Sequence, residues 1–418
     1  MFHTEESQGG GKEVCKHPPL PLLLGQRFFS QNVCVAKAKA GRGVKMREEL
    51  RKLFRGRLIC SLILLSVIVN AYLLYMQKDK IDVLHMIDDF CKENGSVVSE
   101  ETKAALEAIW DEGNESGILW DEYENNLEKS TKYFDFVQSS DMAEAYSSSM
   151  HLSGKAAEYV RSEFHKLDGA IREAAEQELT FYPPFRTYTF DFISTYLLYA
   201  MNLEGMVIAV VMTLYCVDME RSNRTISTVY STRKGKKIIK DKLFASVVGS
   251  LVCFFIIAVI TVVMAGCFLP VKTIMNTLVS NPIVNLKGAP CMTKETMTVG
   301  NYIFFSLGIS CILTVIYSLG SFYLGLKAKN GYYALGILIV LLGIMKMIST
   351  AAPTSTYMYF WSRYNPLDMA LKAGTWFLYS AAHFSPSGYE GATVVLWIVV
   401  CAAGCIWGLR SVDRREEG

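Results

Sequence analysis

One carboxylate, Glu204, sits well inside an apolar run, LYAMNLEGMVIAVVMTLYCV, where an ionisable side chain is costly and marks a functional hypothesis by default. Thirteen residues further on begins a polar, strongly basic stretch, VDMERSNRTISTVYSTRKGKKIIKDKL, from Val217 to Leu243. It carries eight Lys or Arg residues: Arg221, Arg224, Arg233, Lys234, Lys236, Lys237, Lys240 and Lys242. Such charge suits docking and electrostatic orientation, not covalent chemistry. Nothing else in the chain has the spacing of a reactive centre. The eleven cysteines include no CxxC pair, and the six histidines form no HExxH or other ligand pattern. A P-loop is absent too: GGGKEV near the start lacks the first glycine and the hydroxyl residue of GxxxxGK[ST]. No cofactor or metal site is therefore expected, and no paired acids or nucleophile–base set supports a membrane-embedded enzyme.

The elements that must hold these residues are membrane spans. About half the residues are apolar and only a fifth are charged, and the charge is segregated from windows long enough to cross a bilayer. Six spans are expected, at 58–76, 198–217, 243–268, 302–326, 332–349 and 393–409. The fold class is thus an all-α integral membrane protein. Orientation follows from Lys/Arg asymmetry. Arg47, Arg51, Lys52, Arg55 and Arg57 precede the first span, Lys327 and Lys329 follow the fourth, and Arg410, Arg414 and Arg415 follow the sixth. With alternating spans these fall on one side together with the 218–242 loop. Both termini are then cytoplasmic, in a multi-pass protein of the cell (plasma) membrane. Residues 77–190 hold about twice as many Asp and Glu as Lys and Arg and are expected outside, as are 269–300 and 350–392.

The 77–190 segment reads as a helical extracytoplasmic domain between spans 1 and 2. Helical patterns cover 81–93, 100–112 and 121–136, then 153–180, with Ser153 as its cap and Pro183–Pro184 beyond its end. The acidic aromatic stretch around Trp110 and Trp120 reads as a solvated face with both indoles in the core, with a surface that meets a cationic ligand as the other reading. Residues 46–57 form a basic amphipathic helix, whereas 1–45 show no sustained period. That segment reads as a disordered extension, with Met46 the expected start and a genuine disordered tail the competing reading. Lys346 is expected to snorkel to the interface at the end of span 5. Cys267 and Cys291 bracket an outer segment and have the option of pairing outside the cell. Glu204 lies about 20 Å along the helix from Val217. It is expected either to be buried against Asn202 or Tyr199 or to line a transport path.

With the topology fixed, the basic loop resembles the first cytoplasmic loop of permease subunits of the type-2 ABC exporter family. Members show Glu, then Gly-Thr, an apolar stretch ending Ser-Thr-Pro, a basic residue, and Gly-Lys at the next span. The matching positions are Glu220, Thr225, Ser231, Thr232, Lys236 and Lys242. Arg224, Arg233 and Asp241 depart from the pattern at its Gly, Pro and Gly. The resemblance covers 46–418. It implies a coupling helix lying on a separate ATP-hydrolysing subunit, with Ile226, Val229 and Tyr230 as an apolar stripe for its groove. It also implies a second permease copy, as homodimer or heterodimer, with ATP bound by the partner subunit and not by this chain. The expected function is export across the bilayer, without nucleic acid. The alternative is a membrane receptor or sensor with a ligand-binding outer domain, and topology plus lipid head-group contact alone would also explain the basic residues.

Overall fold

Among the described residues, six helices are long and apolar enough to cross a membrane: Arg57–Tyr75, Thr189–Met219, Ile238–Phe268, Val299–Lys327, Gly331–Ala351 and Tyr389–Ser411, here spans 1 to 6. The computed structural model describes residues 48–54, 56–95, 97, 99–111, 137–176, 189–222, 235–269, 274–281, 284–286 and 289–415. The six-span, helical expectation is met, and the six apolar helices indicate a multi-pass membrane protein. Spans 2 and 3 are longer than their apolar runs. Span 2 gains a seven-residue π-helical segment, Phe192–Leu198, ahead of the helix Tyr199–Ser222. The span 3 helix starts at Gly235, so KKIIKDK is helical and does not belong to the connection. The connection between them therefore shortens from 218–242 to 223–234, which lies outside the described residues.

Span 2 is the central helix. Its apolar window is 61% buried, against 17% for span 5 and 22% for spans 1 and 6. It packs on spans 1, 3, 4 and 5. Close approach is made possible at Gly205, where a Cβ would come 2.7 Å from the Phe254 ring of span 3 and 2.9 Å from Thr314 Oγ1 of span 4. Small residues at such crossings are how helices in lipid gain packing contacts. Residues 49–54, from the basic segment before span 1, are helical. Leu50, Leu53 and Phe54 pack there with Ile59, Met212, Cys216 and Ala245 of spans 1 to 3.

The segment between spans 1 and 2 carries helices at Lys78–Asn94, Glu100–Asp111, Ser139–Ser149, Gly154–Phe164 and Asp168–Ala175. The expected single helix 153–180 is broken by a tighter turn, His165–Leu167. Ser153 occupies the N-cap position, yet its side chain makes no capping bond. The expected helix 121–136 and the side chains of Trp110 and Trp120 lie outside the described residues.

All three odd-numbered connections meet in one cap. Tyr146, Val160 and Phe164 from the first pack with Tyr359, Phe360, Tyr379 and Phe384 from the last. The middle connection joins through Met292 and Tyr379, whose amides each donate to the other's carbonyl at 2.8 Å. It also forms a two-residue antiparallel pairing, Asn285–Leu286 with Ala289–Pro290. A buried carboxylate pins the cap together. Glu163 accepts from Lys166, from Lys294 Nζ at 2.8 Å, and from the Ser387 amide at 3.1 Å and its hydroxyl.

One expectation about a side chain is corrected. Lys346 does not snorkel freely: its Nζ pairs with Asp368 Oδ1 at 2.6 Å, because the short helix Pro366–Leu371 brings that buried acid alongside span 5. Cys267 and Cys291 are not joined by a disulfide; the first is exposed and the second buried.

Candidate functional site

Glu204 borders a cavity of about 410 Å³ in the groove between spans 1 and 2. Its walls are apolar, with Leu65, Val69 and Leu73 from span 1 facing Tyr196, Tyr199 and Leu203 from span 2. The π-helical segment shapes the upper part, since Thr195 and Tyr196 belong to it. Extra residues in a helical turn widen it and redirect side chains, a device frequent at functional sites. The widened turn is held from behind. The Ser194 carbonyl lies so close to Gly374 that a Cβ there would be 1.9 Å from the oxygen, and Gly374 has φ +85°. Only glycine meets both demands.

The carboxylate is tied on one side only. Asn70 Nδ2 of span 1 donates to Glu204 Oε2 at 3.0 Å and to Thr261 Oγ1 of span 3 at 2.9 Å. Asn70 is fully buried and Thr261 nearly so. Glu204 Oε1 and Asn70 Oδ1 are buried with no hydrogen-bond partner, a costly state for acceptors in a low-dielectric setting. The cluster has more acceptor capacity than donors. Such a site favours a proton or a cationic donor over an anion.

The partners expected for Glu204 differ from those found. Asn202 turns away from it and donates to the Ala370 carbonyl at 2.9 Å, and Tyr199 lines the groove. Asn70 and Thr261 went unnoticed in the sequence. Asn70 had a signal, as an amide in the otherwise apolar run of span 1. Thr261 had none, because threonine is ordinary in a span.

The basic stretch divides. Glu220 falls in the last turn of the helix Tyr199–Ser222, and Lys236 in the first turn of the helix Gly235–Phe268. Thr225, Ile226, Val229, Tyr230, Ser231 and Thr232 lie outside the described residues. Lys242 is turned inward, 5% exposed, and its Nζ donates to the Cys216 carbonyl at 2.7 Å. In this position it joins spans 2 and 3 and presents no surface to a partner. Arg221 makes a similar link from span 2 to span 4, donating to the Gly325 and Ala328 carbonyls at 3.0 and 2.8 Å. These are carbonyls at the end of span 4, where a cation satisfies orphan acceptors and complements the helix dipole.

Among the described residues no group of His, Cys, Asp and Glu could hold a metal ion. Comparisons with known protein families, curated proteins and solved structures return no match.

Proposed function

We propose that this chain is the membrane-spanning permease subunit of an ABC transporter of the type-2 exporter kind, with Glu204 on the substrate path. In this reading both termini and the 223–234 connection face the cytoplasm, and the cap of odd-numbered connections is extracytoplasmic. The protein sits in the cell membrane, pairs with a second permease copy and engages a separate ATPase, which binds the ATP. The observation that carries the proposal is the continuity of one helix. Glu204 and Glu220 belong to the same uninterrupted helix, Tyr199–Ser222, about 24 Å apart at 1.5 Å per residue. A push on the Glu220 end is thereby delivered to the groove wall without a hinge.

Two further features support it. Span 2 is flanked by the lightly buried spans 1 and 5, so the groove side has apolar surface available to a second copy. The residues at the other end, Arg221, Lys242 and Lys327, give the positive bias of a cytoplasmic side. The ordered Glu220, Thr225, Ser231, Thr232 pattern remains the reason to choose an ATPase over lipid head groups as the loop's contact.

The test is twofold. The full chain, extracted in mild detergent, is expected to co-purify with a P-loop ATPase, and the reading fails if none ever accompanies it. In the complex, Glu220→Ala is expected to lower transport-coupled ATPase activity while leaving membrane insertion intact. Unchanged coupling would refute the role given to the loop.

A further inference from the structure

Spans 5 and 6 both pack on span 4 and on the short helix Pro366–Leu371, but they barely touch each other. The gap between them is a slot of about 370 Å³. Residues of span 4 line it together with Pro366, Leu341 of span 5 and Val400 of span 6. Two glycines line it: a Cβ at Gly404 would be in ordinary contact with the Tyr323 ring at 3.5 Å, and one at Gly320 with Cys401 Sγ at 3.7 Å, so only a larger side chain would fill the slot. The polar atoms at its edge are already bonded. Tyr317 OH donates to the Pro366 carbonyl at 3.1 Å and Trp397 Nε1 to the Tyr364 carbonyl at 2.9 Å. The slot thus offers hydrocarbon surface and asks for none of the hydrogen bonds a polar ligand would bring.

Its far end has different chemistry. Tyr323 and Trp407 stack there at 6.1 Å between ring centroids. Lys327 Nζ lies 4.5 Å above the Trp407 ring and donates to Ser411 Oγ at 2.8 Å. Arg410 is exposed on the same turn of span 6. Aromatic rings with basic side chains at a helix end are the grouping that meets phospholipid head groups.

We infer that the slot between spans 5 and 6 is a binding site for one anionic phospholipid. An acyl chain fills the space against Gly320 and Gly404, and the phosphate sits by Lys327, Ser411 and Arg410. The occupant follows from the setting. A gap between two spans is bathed by acyl chains in a bilayer. Among the described residues the cations at the Lys327 end carry no carboxylate, whereas Lys346 at the other end is paired with Asp368. The site requires membrane embedding and does not depend on the transport reading.

Native mass spectrometry of the full chain in mild detergent tests this, with dioleoyl phosphatidylglycerol or dioleoyl phosphatidylcholine added. One phosphatidylglycerol per chain should be retained in preference to phosphatidylcholine, by about fivefold for each basic side chain that meets it. Gly404→Leu, which fills the slot from span 6, should abolish retention. Leu341→Trp fills it from the exposed flank of span 5 and serves where the first variant fails to fold. Lys327→Ala with Arg410→Ala should remove the head-group preference while the chain still binds. Equal retention by the wild type and the filled variants means annular lipid only and overturns the site. A wild-type chain that carries no lipid, or that shows no preference between the two head groups, overturns it as well.

Discussion

Replacing Glu163 by glutamine should loosen the whole cap, because three connections converge on that one carboxylate. Burial by itself raises the Glu163 pKa, but hydrogen bonds from Lys166, Lys294 and Ser387 outweigh it and bring it down to about 2 from an ordinary 4.5. A difference of that size between folded and unfolded chain corresponds to about 3 kcal/mol. The glutamine keeps the shape and part of the hydrogen bonding, but it leaves two ammonium groups without their counter-charge. Lys166 is half exposed and loses little, whereas Lys294 is only 26% exposed and loses more. The expected cost is about 2–3 kcal/mol, roughly 30- to 150-fold in the local opening equilibrium. Hydrogen exchange of the full chain in nanodiscs, followed on amides of Gly154–Phe164, reads this directly. The folded pKa lies below the unfolded one, so the unfolded chain takes up the proton first. The stabilisation is therefore complete above about pH 4.5 and drains away as pH falls toward 2. The wild type should lose protection across that window, and Glu163→Gln should lack that step. Equal protection in the two chains at neutral pH would refute the reasoning.

Two other predictions concern the backing of the groove. Gly374→Ala meets the Ser194 carbonyl at 1.9 Å and must hold φ +85°, so it should cost more than about 3 kcal/mol. A detergent melting midpoint equal to wild type would sink that claim. Lys346→Ala leaves the buried Asp368 with Asn365 and Ser349 as its remaining side-chain donors. Since Lys346 is itself half exposed, the cost should be about 2 kcal/mol. Adding Asp368→Asn should restore part of it, and strict additivity of the two changes in a double-mutant cycle would show the pair to be uncoupled.

The spans were legible because an 18-residue apolar window has one common use, but their ends were not. Span 2 runs nine residues earlier than its apolar run, through a π-helical segment whose register depends on Gly374, some 180 residues away. Span 3 begins inside a run of lysines, and Lys242 of that run donates to the Cys216 carbonyl of span 2. A run of lysines before a span reads as a connection by its charge, although lysine is itself a good helix former and continues the span. The cap illustrates the same limit from the other direction. Glu163 looks like one more acid on an amphipathic helix until Lys294 and Ser387 arrive from two other connections.

Glu204 was conspicuous as a carboxylate in an apolar run, yet its environment depended on residues 134 positions away at Asn70, which is itself joined to Thr261 in span 3. This arrangement decides how the helix can move. The upper end of span 2 is pinned where Ser194 presses on Gly374, and the lower end where Arg221 grips the Gly325 and Ala328 carbonyls. Between them, the polar link from Glu204 to span 1 is a single hydrogen bond from an amide that also serves span 3. Two acceptors there still lack donors. Under the transport reading, a displacement started at Glu220 would therefore spend least energy by breaking the Asn70 contact and opening the groove. Asn70→Ala, which removes that contact while leaving both pins intact, should ease exposure of the groove and raise basal ATPase activity in the complex. Basal activity unchanged from the wild type would place the moving contact elsewhere.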